Sequence, residues 1–431
     1  MKPFQAAVLI GFAFLALAAV FIFALYSGGK NTNVGVVSVW GPLPQSTVDD
    51  VLAAVRMADH GFDGVTYKQF PADTFMTTLV QAIAAGTGPD VVIFPADSII
   101  KNGNKLVPIP YATLSRRTFT DTYVQAGEAF LTNDGALGLP FVLDPLVEYW
   151  NRSVYATGGV ARPPTYWDEF TDAAPHLSKS SSAGTLSESA VALGGWGNIS
   201  HAKEVLVGIF IGLGAPIITH DTTGVLQVVL GMQDARTGSA TTPSASALRF
   251  YTDFADPAKT VYSWNPSLPN DQKAFLAGTL ATYLGYASEA ATLRDANPNL
   301  NFDISAFPSV RGAAPAVPAR LYAVSIPRGA KNSVGATKVA IAMTAAGAET
   351  ALTTATGLPS VRLDALAPAA ADPYAAIFRQ AALNSFVFLD PDPVQSDAIF
   401  AHMVEAVTSG KLAPAQAIQN AQGDLQAILK W

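Results

Sequence analysis

Residues 75–97, FMTTLVQAIAAGTGPDVVIFPAD, decide the fold. Phe75, Met76, Leu79, Val80 and Ile83 recur on one face at helical spacing and stop near Gly86. Pro89-Asp90 then lead into Val91 to Phe94, a β-branched run with no alternation. A strand that is apolar on both faces is one covered on both faces, as in a parallel sheet. The residues upstream repeat the pattern. Val34 to Trp40 (VGVVSVW) reads as a buried strand bounded by Gly35 and Gly41-Pro42. A helix follows, with Ser46 its expected cap, Asp49 and Asp50 in its first turn, and Val48, Val51, Leu52 and Val55 on one face. Asp63 to Lys68 is the next strand. Strand, helix, strand, helix, strand predicts an α/β sheet joined by crossovers.

The same logic runs on with longer helices. Thr165-Tyr166-Trp167-Asp168 reads as a capping box, and Val205 to Leu213 is an apolar helical stripe ending at Gly214. Phe275 to Gly278 ends a helix and Thr279 to Leu284 begins a strand. Ile399, Met403 and Val407, then Ala417 and Ile418 to Ile428, mark two closing helices. At 431 residues the chain is long enough for two or three domains or lobes. Since neither a repeat nor a long linker interrupts it, two α/β lobes woven together are expected.

Composition removes several functions. The chain has no cysteine, which excludes a disulfide scaffold, thiolate catalysis and a lipidated-cysteine anchor. A formal charge of -7, from 26 Lys+Arg against 33 Asp+Glu, without basic clusters, argues against nucleic acid as a partner. From Phe4 to Tyr26 the only strongly polar side chain is Gln5. That run of roughly 23 residues reaches about 34 Å as a helix, enough to cross a hydrocarbon core of about 30 Å. It exceeds the apolar region of a cleavable export signal, and Ala24-Leu25-Tyr26 places a bulky residue where cleavage wants a small one. An uncleaved N-terminal transmembrane helix over residues 1–30 is therefore expected, with the rest of the chain on the extracytoplasmic side. Cleavage would instead release a secreted or periplasmic protein.

No catalytic or metal-binding pattern emerges. His60, His176, His201, His220 and His402 lack the i,i+4 spacing of a zinc helix and read as surface or satisfied polar residues. Gly195-Trp196-Gly197 and Gly212-Leu213-Gly214 lack the third glycine of a dinucleotide fingerprint. Asp390, Asp392 and Asp397 are interrupted by Pro391 and Pro393, so a capped, solvated turn is expected there and not a calcium loop. No enzyme activity, cofactor or metal is expected.

Four blocks in order resemble the extracellular solute-binding proteins of the maltose-binding type, the capture subunits of ABC importers. They are Phe75 to Asp97; Gly135 to Phe170, with its Gly-x-Pro strand, Trp150-Asn151 and Pro163-Pro164 before Trp167; Trp264 to Pro308, with Phe275, Gly278 and Ala281; and Val404 to Leu429, with Gly410-Lys411 and Ala417. The resemblance implies a two-lobed periplasmic-binding-protein-like clamp of type II, preceded here by the transmembrane helix. Lobe 1 would hold residues 33–142 and 322–357, and lobe 2 residues 143–321 and 358–431.

Ligands in α/β lobes bind beyond the carboxyl ends of strands, and a sugar wants aromatic faces beside carboxylate or amide acceptors. Trp40, Trp196, Asn198, Trp264, Tyr286 and Tyr322 are candidates on that ground, and Asp97 and Asp144 match acidic ligand contacts of the family by position. The family's tryptophan near Tyr286 is not matched, since Ala287 and Ser288 are small. The expected function is capture of a polar small molecule, carbohydrate foremost, by closure of two lobes, with delivery to ABC permease subunits. The protein is expected to be a monomer. A noncatalytic surface or sensory module using the same clamp is the alternative.

Overall fold

The computed structural model describes residues 33–181, 185–221, 223–232, 242–366 and 373–429. The anchor expected over residues 1–30 lies outside these. Among the described residues no helix is long and apolar enough to cross a membrane.

Strand β1 (Val37–Gly41), helix α1 (Gln45–Ala58), β2 (Val65–Gln69), α2 (Ala72–Ala84) and β3 (Val91–Pro95) follow the expected order. β1 lies between β2 and β3 and is parallel to both. Helix α1 buries Val48, Val51, Leu52 and Val55, but Ser46 does not cap it. The extended backbone of Pro44 starts the helix earlier, and Gln69 Oε1 accepts the Gln45 N–H at 2.9 Å. Gly86, at φ +70°, supplies the left-handed turn after α2.

The chain then enters β4 (Gly138–Asn151), fourteen residues buried almost throughout. Beyond it come α3 (Glu169–Leu177), β5 (Leu186–Val191), α4 (Ala202–Gly212), α5 (Pro243–Asp253), α6 (Asp271–Leu276) and β6 (Leu280–Tyr286). The Glu169 carboxylate reaches back to accept the Thr165 N–H at 2.7 Å, which starts α3 after the residues read as its box. Next are α7 (Glu289–Ala296), β7 (Phe302–Ala306), β8 (Val317–Pro327), α8 (Ser333–Met343), α9 (Ala346–Thr356), α10 (Pro373–Leu383), α11 (Pro393–Thr408) and α12 (Pro414–Ile428).

The main sheet runs β2-β1-β3-β8-β4-β6-β5, with β7 also on β4. The long strands β4 and β8 join its two halves. The first half of β4 pairs antiparallel with β8, placing Asp144 opposite Arg320 and Leu143 opposite Leu321. Its second half pairs with β6 and β7. The register slips between Tyr322 and Ala323, a bulge that bends the strand as it leaves one half for the other.

Apolar packing divides at the same points. One core holds β1 to β3, α1, the start of β4 through Leu143, and Leu321, Val324 and Ile326 of β8. A second begins at Leu146 and takes in Val205, Leu206 and Phe210 of α4, Val317 of β8, and Phe400, Met403, Ile418 and Leu425 of the closing helices. Val361 and Leu366 belong to the first core. The fold is two α/β lobes bridged by β4, by β8 and by the segment that precedes α11.

Candidate functional site

Between the lobes lies a cavity of about 70 Å³, bounded by the end of β3, the first turns of α4, the end of β6, β8 and the segment before α11. Its charged lining is Asp97, Lys203, Glu204, Arg320 and Asp390, with Tyr286 as the aromatic wall. Lys203 and Glu204 also line an adjoining groove of about 600 Å³ that includes Trp196, Asn270, Val394 and Asp397. Each charged residue comes from a different segment, except Lys203 and Glu204, which share one turn of helix.

Asp97 follows β3 at the lobe 1 edge of the cavity. Its side chain keeps contact with solvent, yet protein crowds it on the remaining sides. That burial raises its pKa, against the Ser98 hydroxyl that donates to it at 3.1 Å. A carboxylate both open and crowded is what a cleft produces, and one poised to gain a hydroxyl donor gains a strong hydrogen bond.

Lys203 is committed to the frame of the site. Its ammonium donates to Asp390 Oδ2 at 2.9 Å, Pro393 O at 3.0 Å and Ser396 Oγ at 3.3 Å. Burial lowers the lysine pKa, but Asp390 outweighs it and the net direction is upward; burial raises the pKa of Asp390, against the lysine. Asp392 accepts from Lys101 Nζ at 2.6 Å and caps α11 through Val394 and Gln395. Asp390 and Asp392 are therefore not a solvated turn, as the sequence suggested. Both are buried, and lysines from each lobe hold them.

Arg320 stands on β8 with its guanidinium 3.9 Å from the centre of the Tyr286 ring, a cation–π contact. Asp144 lies opposite it in the ladder and accepts from the Ser288 N–H at 3.0 Å and the Ser288 hydroxyl at 2.7 Å. Burial raises the pKa of Asp144, against the arginine's charge. Asp144 thus lies behind the cavity wall and carries Ser288, with Arg320 presented in front.

Of the residues singled out in the sequence, Asp97 and Tyr286 line the cavity and Trp196 lines the groove. Trp196 stacks on Phe400, with centroids 6.4 Å apart, and its indole N–H reaches Asp397 Oδ2 at 3.5 Å. Tyr322 pairs with Pro95 across β8 and β3, beside the cavity rather than on its wall. Trp40 closes β1 with its ring 4.6 Å from that of Phe70 and Lys68 above it. Trp264 is fully buried and donates to Asn198 Oδ1 at 3.1 Å, while the Asn198 amide donates to Asn265 O and Leu268 O. Those two residues have no group left to offer a ligand; they hold the loop that carries Trp196. Lys203, Glu204, Arg320 and Asp390 were missed. Only the first two had a signal, a charged pair opening a helix after the Gly194 to Gly197 loop.

The profile of the family described as bacterial extracellular solute-binding protein matches residues 53–378. No curated protein matches the chain. Among solved structures, the cyclic alpha-maltosyl-1,6-maltose binding protein of Arthrobacter globiformis is similar with a TM-score of 0.73 and 17% identity, over 91% of this chain and 98% of that one. A cyclo/maltodextrin-binding protein complexed with maltotetraose matches with a TM-score of 0.73 and 14% identity, over 93% and 98%. The GacH receptor of Streptomyces glaucescens, solved unliganded and with acarbose, gives 0.69 and 16%, over 92% and 98%. At these identities the likeness is one of fold.

Proposed function

The chain belongs to the bacterial extracellular solute-binding protein family, and we propose that it captures a carbohydrate between its lobes and passes it to an ABC permease. The observation that carries this reading is the inter-lobe lining: Asp97 and Glu204 as hydroxyl acceptors, Arg320 as a donor, and Trp196 and Tyr286 as aromatic walls. A sugar presents hydroxyls in its plane and C–H groups on its faces, and this lining serves both. The sugar ligands named for the three similar structures support the same class. The family is one of binding proteins, and no step of chemistry is assigned to the cleft.

Capture works through a difference between two states. A ligand touching only one lobe leaves the balance of open and closed forms unchanged, whereas one touching Asp97 and Glu204 together favours the closed form by its extra affinity. The cavity of about 70 Å³ is below the ~300 Å³ at which ligand pockets begin, so entry requires the lobes to part. β4, β8 and the segment before α11 are the proposed hinge. The apolar run from Phe4 to Tyr26 is the proposed tether, which would keep the clamp beside its permease on the extracytoplasmic face. Calorimetry and small-angle scattering with maltotetraose, mannotriose and tagatose test the reading. Saturable binding with compaction is expected, and its absence across neutral sugars would overturn it.

A further inference from the structure

Behind Tyr286 lies a cluster that the cavity itself does not include. Glu289, in the first turn of α7, accepts four hydrogen bonds in an environment that is largely buried. His201 Nε2 lies 2.7 Å from its Oε1, which also accepts the Tyr286 N–H at 3.1 Å. Its Oε2 accepts from the Tyr283 hydroxyl at 2.5 Å and from Gln272 Nε2 at 2.9 Å. The His201 ring meets Tyr286 edge-on, with centroids 4.7 Å apart. Tyr286 is therefore held between His201 and Arg320. His201 also immediately precedes α4, whose first turn presents Lys203 and Glu204. One carboxylate thus fixes the end of β6 and the start of α4, the two lobe 2 elements that face Asp97 across the cleft.

We propose that His201 and Glu289 are positioning residues for ligand capture, setting Tyr286 and the first turn of α4 in place. The affinity part rests on the carbohydrate reading; the placement part does not. The groups that face His201 are Glu289 of α7, Tyr283 and Tyr286 of β6, and Asp271 of α6. Burial works to raise the pKa of Glu289, but the His201 and Tyr283 contacts outweigh it and the net direction is downward. His201 meets that carboxylate through Nε2, so an N–H at that place is what the wall needs from it.

Two measurements decide it. In ligand-free protein labelled at tyrosine rings, the Tyr286 resonance, assigned with Tyr286→Phe, should broaden in His201→Ala, where the ring loses its fixed place, and stay sharp in His201→Gln. A Tyr286 signal as sharp in His201→Ala as in wild type overturns the proposal without reference to any ligand. In calorimetry with maltotetraose, His201→Gln, which keeps an N–H for Glu289, should retain wild-type affinity. His201→Ala should bind about tenfold more weakly. If His201→Ala folds, by circular dichroism, and binds as wild type does, or His201→Gln binds as weakly as His201→Ala, the positioning role is refuted. If wild type binds no sugar, the carbohydrate reading falls and the resonance measurement alone decides.

Discussion

Replacing Lys203 with methionine removes the ammonium that reaches three acceptors and leaves Asp390, whose side chain is 2% exposed, with Ser396 Oγ at 2.8 Å as its remaining hydrogen-bonded side chain. Breaking one side of a buried pair costs about 3–5 kcal/mol, because the surviving charge has neither bulk water nor an opposite charge beside it. The lysine side chain is itself only 14% exposed, so the lower figure, about 3 kcal/mol, is expected for Lys203→Met. Asp390→Asn in the same chain removes the orphaned charge while its amide oxygen still accepts from Ser396. The double variant should recover most of the loss, to within about 1 kcal/mol of wild type. Burial already raises the pKa of Asp390 with the lysine present, and without it the carboxyl rises further. In Lys203→Met, Asp390 then prefers to be protonated, so stability falls as pH rises through the carboxyl's folded-state range, and the single variant loses least in acid. Urea unfolding of wild type, both single variants and the double variant, at about pH 5 and 7.5, closes the cycle. If Lys203→Met costs under about 1 kcal/mol, or the double variant is no better than the single, the pair does not hold the site together as argued.

Three further outcomes follow from other parts of the molecule. Burial raises the pKa of Glu349 from the usual 4.5 to about 7, against hydrogen bonds from Ser360 and Val361; the folded state then holds a proton the unfolded chain releases, so stability falls by about 3 kcal/mol as pH rises between those values and levels off above. Glu349→Gln should flatten that profile and gain stability over wild type above neutrality; parallel thermal-unfolding curves for the two proteins across pH would count against it. Lys101→Met severs the ion pair from lobe 1 to Asp392 at the start of α11; half exposed, it is worth about 1 kcal/mol or less, enough for a severalfold shift toward the open form. Small-angle scattering without ligand should show a larger radius, and an unchanged one would deny the contact any part in closure. Gly208→Val should destabilise by about 1–3 kcal/mol, since a Cβ there already comes within 2.8 Å of Pro318 and 3.0 Å of Phe307, and an unaltered unfolding midpoint would mean that α4 can move off β8 freely.

How much of this was legible depended on sequence distance. The stretch from Phe75 to Asp97 was readable because its helix, turn glycine and strand are local patterns, and the structure places α2 and β3 there. Ser46 failed as a cap because Pro44 and the side chain of Gln69, brought in from the neighbouring strand, start the helix instead. Strands β4 and β8 carry no local mark of their pairing; only the resemblance of whole blocks suggested lobes joined by strands. Trp264 and Trp196 look alike in the sequence, and only packing separates a fully buried ring from one in the groove. The charged members escaped for a different reason. Asp390 meets Lys203 and Asp392 meets Lys101 across 187 and 291 positions, so each read alone resembles an ordinary surface charge.

The way β8 is shared between the halves of the sheet bears on when the protein can fold. β3 gains its antiparallel neighbour only when Tyr322 reaches Pro95, after most of the chain has been made. Until then β1, β2 and β3 form a sheet with an open edge, short of the strand that covers it. A chain that emerges from a ribosome or a translocation channel N-terminus first can complete neither lobe early. That delay suits a polypeptide that must be threaded through a membrane before it folds, and it also makes the interval before β8 arrives the period of greatest exposure to misassembly.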